Sequence, residues 1–218
     1  LNTNENPYPC SPKVIEAIKN SAERGLEKYP DPVASGFRER AAEVLAVDLP
    51  EITPDWILCG NGSDDLLTII TRAAVNDGDL LRFPNPSYIL YRTLAEIQGA
   101  RSEAVDFDEG WTLGEAFTAQ ADRLRLAFLP NPNSPSGTVL VPERIAEIAS
   151  ALPCPLVVDE AYADFADQNC LGLVAQNEQI IVTRTLSKSY ALAGLRFGFA
   201  VAQPQVIREL VKVKDSYN

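Results

Sequence analysis

The sequence predicts an α/β protein: a three-layer α/β/α sandwich on a mostly parallel, seven-stranded sheet. Three observations carry this. From residue 56 onward, short apolar runs alternate with stretches of helical spacing, the pattern of parallel β-α-β units. Several of those runs are apolar at every position, as strands covered on both faces must be. The composition, 46% hydrophobic and 22% charged over 218 residues, is that of a globular chain able to bury a substantial core, not of a disordered one.

The elements follow in order. Leu1 to Cys10 is polar and holds Pro7 and Pro9, so it reads as an extended arm. Ser11-Pro12 looks like an N-cap followed by proline at the first helical position, and Val14, Ile15, Ile18 and Ala22 continue at helical spacing toward a stop at Gly25. Tyr29-Pro30-Asp31-Pro32 is a rigid loop, and a second helix is expected over Gly36 to Leu45. The predicted strands are Trp56–Cys59, Leu80–Phe83, Ala100–Val105, Leu124–Leu129, Leu156–Val158, Ile180–Thr183 and Phe197–Val201. Helices are predicted between them over Ser63–Val75, Ser87–Gln98, Pro142–Ala151 and Gln203–Val213.

Charge and residue usage exclude several functions. Lys plus Arg is 19 against 30 Asp plus Glu, a net charge of -11, which repels phosphate backbones and anionic membranes. No apolar run approaches the roughly 18 residues of a membrane-spanning helix. The four cysteines (Cys10, Cys59, Cys154, Cys170) form no C-x-x-C pair, which suits a reducing cytoplasm and speaks against structural zinc. The chain has no histidine, so Ser-His-Asp triads and His metal sites are excluded within it.

In an open α/β sheet, ligands bind beyond the carboxyl ends of the strands. After the first strand comes Gly60-Asn61-Gly62-Ser63-Asp64-Asp65, where two glycines and a helix start suit an anion, phosphate above all. A plain turn capped by Ser63 is the competing reading; a P-loop is not, because G-K-[ST] is missing, and Asp65 stands where a dinucleotide fingerprint needs its third glycine. Tyr88, after the second strand, is placed to stack on a flat ligand or simply to pack. The loop Pro130-Asn131-Pro132-Asn133-Ser134-Pro135-Ser136-Gly137 is stiff and polar, either a holder of hydrogen-bonding side chains or a surface turn. Asp159, directly after an all-apolar strand, is desolvated and needs a partner such as a cationic ring nitrogen, unless it is only a cap. Lys188, flanked by hydroxyls, suits a Schiff base, and Thr185, Ser187 and Arg196 suit a phosphate dianion. Together these match the needs of pyridoxal 5'-phosphate: a lysine and an acidic partner for the pyridinium nitrogen.

The chain resembles the fold-type I aminotransferases dependent on pyridoxal phosphate, and among them the histidinol-phosphate aminotransferases. The motifs are Asn4-Glu5-Asn6-Pro7-Tyr8, Tyr29-Pro30-Asp31-Pro32, Gly60-Asn61-Gly62-Ser63-Asp64, Asp159-Glu160-Ala161-Tyr162, and Arg184-Thr185-Leu186-Ser187-Lys188 with Ala193-Gly194-Leu195-Arg196. The resemblance implies that Lys188 bonds the cofactor and moves the substrate proton, that Asp159 keeps the ring nitrogen protonated, and that Tyr162 hydrogen-bonds the ring's phenolic oxygen. It implies that Tyr88 stacks on the ring and that Gly62, Ser63, Asp64, Thr185, Ser187 and Arg196 hold the phosphate. Ser134 stands where the family usually has an asparagine beside the ring oxygen. Tyr8 and Asn6 on the arm are implied to meet substrate, and Tyr29 to reach the other subunit's cofactor in a cytoplasmic homodimer. The implied layout is an arm, helix and dimer-contact loop over residues 1–35 and a large cofactor-binding domain over 36–218, with a small C-terminal domain expected beyond it. The implied reaction moves an amino group between L-histidinol phosphate and 2-oxoglutarate, in histidine biosynthesis. Aromatic-amino-acid aminotransferase or threonine-phosphate decarboxylase on the same scaffold is one alternative; a non-catalytic nucleotide-binding domain is another.

Overall fold

A computed structural model describes residues 4–23 and 25–217. Among these the predicted strands are all found: β1 (Ile57–Gly60), β2 (Leu80–Asn85), β3 (Arg101–Asp106), β4 (Leu124–Pro130), β5 (Leu156–Asp159), β6 (Ile180–Thr185) and β7 (Gly198–Val201). They form one sheet in the order β1-β7-β6-β5-β4-β2-β3. The helices are α1 (Pro12–Glu23), α2 (Ser35–Leu45), α3 (Ser63–Ala74), α4 (Leu90–Ile97), α5 (Glu115–Thr118), α6 (Pro142–Ala151), α7 (Leu173–Gln176) and α8 (Pro204–Val211). The single-turn α5 and α7 are too short to carry a periodic signal and were not predicted. The predicted α4 loses its first turn, because Ser87 donates back to the Pro84 carbonyl and Tyr88 stays on the turn ahead of the helix. The expected arm lies within the described residues only from Asn4 onward.

The central strands are apolar on both faces because each face has its own helical layer. Leu156 and Val158 of β5, Ile180 and Val182 of β6, and Phe199 and Val201 of β7 pack with α2, α5, α6 and α7. Val157, Ile181 and Ala200, one residue out of phase, pack with α3, α4 and α8 on the other face. Helix α1 belongs to neither layer and buries none of its residues.

Two departures from a regular parallel sheet matter to the edge where the strands end. First, β4 pairs with β2 through a register shift, Leu80 opposite Leu124 but Leu81 opposite Leu126. Arg125 is extruded, so Leu124 faces one core and Leu126 the other despite their spacing of two. Second, β7 lies antiparallel between β1 and β6. It therefore presents its amino end at the edge where β1, β4, β5 and β6 present their carboxyl ends, and Gly198 sits opposite both Gly60 and Thr185.

Leu126→Ala should lower the unfolding free energy by about 2–5 kcal/mol, as for other fully enclosed leucines. Arg125→Ala, out of the ladder and exposed, should cost under about 1 kcal/mol. Urea denaturation of the two variants checks this, and equal losses would contradict the bulge.

Candidate functional site

At the carboxyl edge of the sheet lies a cleft of about 670 Å³ lined by residues from every strand end just described. Of the residues singled out from sequence, Ser63, Asp64, Tyr88, Ser134, Asp159, Tyr162, Thr185, Ser187, Lys188 and Arg196 line it together. Each arrives by a different route. Ser63 and Asp64 open α3 after β1, Tyr88 follows β2, Ser134 follows β4, and Asp159 ends β5. Thr185 ends β6, with Ser187 and Lys188 just beyond it, and Arg196 precedes the antiparallel β7.

One end of the cleft is built for an anion. The Thr185 hydroxyl donates to Ser187 Oγ at 2.9 Å, and the Ser187 N–H donates to Thr185 Oγ1 at 3.2 Å, so the two hydroxyls are fixed against each other. Arg196, held in the left-handed region at φ 53°, brings its guanidinium to 3.8 Å from Asp64 and directly over Gly62. Gly62 has φ 89°, and a Cβ there would stand 2.6 Å from the guanidinium. This is why glycine occupies that turn although it does not itself line the cleft. Beneath it, a Cβ on Gly198 would lie 2.7 Å from the Gly62 carbonyl carbon and the Ser63 nitrogen, and 2.9 Å from the Arg184 oxygen. The loop thus rests on a bare strand backbone, with the free N–H groups of the first turn of α3 above it.

The floor of the cleft is Asp159, buried at the end of β5. It accepts hydrogen bonds from the Tyr91 hydroxyl (2.9 Å), the Ala161 N–H (3.2 Å) and the Thr183 hydroxyl (3.3 Å). Burial nevertheless raises its pKa from 3.8 to about 6; the three donors oppose the rise, and the nearby Asp64 carboxylate adds to it. Burial also pushes the Tyr88 hydroxyl up to about 12, helped by Asp64, whose Oδ1 accepts its hydrogen bond at 3.2 Å.

The opposite wall carries Lys188. Its Nζ lies 5.5 Å from the centre of the Tyr162 ring and donates to the Asn4 carbonyl at 3.2 Å. Asn4 Nδ2 donates to the Tyr162 hydroxyl at 3.0 Å. So the arm crosses the lip of the cleft through Asn4 and Glu5. Asn6, expected to meet substrate, donates to the Lys188 carbonyl at 3.0 Å and accepts from the Tyr8 N–H. The Tyr8 ring is exposed, and Tyr29 is exposed and stacked on Tyr217 at 4.5 Å; neither lines the cleft of this chain.

Sequence reading missed Tyr91, Thr183 and Asn4. Tyr91 sits three residues after Tyr88, one helical turn on, a spacing that would have put it under the same cleft. Among the described residues no cluster of three or more metal-ligating side chains is found, and no helix is long and apolar enough to cross a membrane.

The donor set fits a flat, phosphorylated, cationic-ring ligand: hydroxyls, a guanidinium and a helix start at one end, a buried carboxylate below, an amine at the wall. Comparison with known proteins agrees. The family profile described as aminotransferase class I and II matches residues 1–218. The chain is 58% identical over 218 residues to the histidinol-phosphate aminotransferase of Rhodopirellula baltica, and 48% identical over 221 aligned positions to that of Syntrophotalea carbinolica. All of this chain is covered, against 59% and 61% of those relatives, so it spans about three fifths of their length. The crystal structure of histidinol-phosphate aminotransferase from Sinorhizobium meliloti in complex with pyridoxal-5'-phosphate superposes with a TM-score of 0.84 at 28% identity, over 98% of this chain and 58% of that one. An aspartate aminotransferase from Thermotoga maritima, 21% identical, shares the fold with a TM-score of 0.87 over 97% of this chain and 60% of its own.

Two outcomes test the geometry. Because Asp159 has a higher pKa folded than unfolded, the folded chain binds the extra proton between about pH 4 and 6, and stability falls as pH rises through that window. Asp159→Asn removes this penalty of roughly 3 kcal/mol, so the unloaded variant should be the more stable protein at pH 7.5 and gain nothing at pH 4. Urea titrations at both pH values decide it; an equal gain at each would contradict the raised pKa. Gly198→Ala should cost about 1–3 kcal/mol through overpacking and weaken binding of inorganic phosphate, read by calorimetry.

Proposed function

The chain belongs to the class I and II aminotransferases, and we propose that it binds pyridoxal phosphate and transfers an amino group from L-histidinol phosphate to 2-oxoglutarate. The products are imidazole-acetol phosphate and glutamate. The observation that carries this reading is the buried Asp159 across one cleft from Lys188, with the anion cradle at its end. The substrate follows from the relatives that bear that name at up to 58% identity.

Bound there, pyridoxal phosphate supplies an electron-withdrawing ring that acidifies the substrate's α-carbon. The chain's own residues do the rest. Thr185, Ser187, Arg196 and the start of α3 bind the phosphate dianion and fix the register of the ring. Asp159 holds a proton on the ring nitrogen, and its desolvation strengthens that pairing. Tyr88 would cover the ring, and Tyr162 would donate its hydroxyl proton to the phenolic oxygen. Ser134 has a shorter reach than the usual asparagine, which leaves more of that contact to Tyr162. Lys188 Nζ is the amine that holds the cofactor's carbonyl carbon. The same amine would be the base that carries the substrate α-proton.

Residues 36–218 act as the cofactor-binding domain and residues 1–35 as arm, helix and dimer contact. Ile15 and Ile18 on α1 and the Tyr29 ring are exposed apolar groups, which supports association with a second copy that receives Tyr29. A cytoplasmic location fits the unpaired cysteines.

The test is colour and turnover. Purified protein mixed with pyridoxal phosphate should turn yellow, and borohydride reduction followed by peptide mapping should label Lys188. Lys188→Ala should keep its fold by circular dichroism, lose the label and lose amino transfer by about 10³-fold or more. A label on Lys212 or Lys214 instead would defeat the assignment. Faster turnover of phenylalanine than of histidinol phosphate would move the substrate to the aromatic amino acids.

A further inference from the structure

Tyr91 is wholly buried, yet its polar end reaches the cleft. Its ring is clamped on three sides: stacked on Phe128 at 4.7 Å, edge-on to Tyr88 at 5.7 Å, and tilted against Phe83 at 6.0 Å. A ring held this way leaves the hydroxyl one position, and in that position it donates to Asp159 Oδ2 at 2.9 Å. The hydroxyl proton goes to the carboxylate because burial and the two acids Asp159 and Asp64 keep Tyr91 protonated far above neutral pH. The bond is the shortest that Asp159 accepts; the Thr183 and Ala161 donors both go to Oδ1.

We infer that Tyr91 is a positioning residue for Asp159: through this bond it fixes the rotation of the carboxylate and favours its charged form, so that the ring nitrogen of the cofactor meets an anion. The inference rests on the cofactor reading above and names a residue that reading does not require. The same side chain braces Tyr88, so one buried tyrosine supports both the carboxylate meant for the ring nitrogen and the aromatic meant to cover the ring. The other ionisable groups lining the cleft around Asp159 are Asp64 and Arg196 at the anion end, Tyr88, Tyr162 and Lys188 around it, and Glu5 at the lip. On the far side of the strand end stands the Glu160–Arg184 pair. None of these groups donates to Oδ2 among the described residues, so loss of the Tyr91 hydroxyl leaves that oxygen facing an apolar ring.

Tyr91→Phe keeps the aromatic cluster and removes only the donor. In the unloaded chain, the Asp159 carboxyl carbon, followed by NMR, should titrate about 1 pH unit higher in Tyr91→Phe than in wild type, the effect of one lost hydrogen bond to a charged group. In the same variant, pyridoxal phosphate at pH 7 should bind roughly tenfold or more weakly by absorbance titration, with the pH dependence of its affinity displaced upward by the same amount. In an Asp159→Asn background, Tyr91→Phe should displace nothing. An unchanged Asp159 titration, or an equal loss of affinity in both backgrounds, overturns the inference and assigns Tyr91 to packing alone. A wild-type chain that binds no pyridoxal phosphate overturns the cofactor reading itself, and the two failures are told apart by that first measurement.

Discussion

A carboxylate is hard to keep at the end of a strand whose other residues are Leu156, Val157 and Val158. Left without donors it would take up a proton well above the usual range and lose its charge. Here the donors come from three places at once: a helix on one face, the adjacent strand, and the chain just beyond. They converge only if β5 and β6 pair with Asp159 opposite Thr183 and if Tyr91 of α4 packs between Phe83 of β2 and Phe128 of β4. The same register sends the neighbouring acid, Glu160, to the other side. There it is buried against Arg184 at 2.8 Å and accepts the Cys170 N–H. Two consecutive acids thus take opposite roles because strand side chains alternate. One is tied off by a guanidinium, and the other is left with room for an outside cation.

The antiparallel β7 is the second constraint. In an all-parallel sheet, Arg196 would precede its strand at the far edge, away from Lys188. Reversing one strand returns it to the working edge, next to the turn that opens α3. The two glycines, Gly62 and Gly198, are what let those segments touch. The anion cradle is therefore a product of strand direction and of missing side chains as much as of donors.

Most of this architecture was legible in the chain. The strands are apolar runs too short for helices, and their ends carry the polar residues that an open α/β sheet gathers at one edge. Ten of the residues singled out from those ends and from the family motifs do meet in one cleft. What could not be read has physical reasons. Strand direction is invisible in a four-residue run such as Gly198–Val201. Tyr91 looks like core because it is core, and only its last atom is functional. Asn4 acts through its backbone carbonyl, which any residue has. The bulge at Arg125 shows locally as one charged residue inside an apolar run, a signal shared with ordinary edge strands. Tyr8 and Asn6 were singled out by motif alone, and neither lines the cleft of this chain.

The edges of the sheet differ in how they are closed. β1 is buried along its length beneath α2 and α8. β3 is not: it ends the sheet with Arg101, Ser102, Glu103 and Asp106 along it, and its outer row of backbone groups has no strand beyond it among the described residues. A bare edge invites another chain to extend the sheet, the first step of aggregation. The charges of Arg101, Glu103 and Asp106 on a short strand make that addition unfavourable, since an incoming strand would have to desolvate them. The six residues of β3 lie away from the cleft. Glu103 also pairs at 2.7 Å with the buried Arg82 guanidinium, so the charge that guards this edge is tied to the packing beneath it.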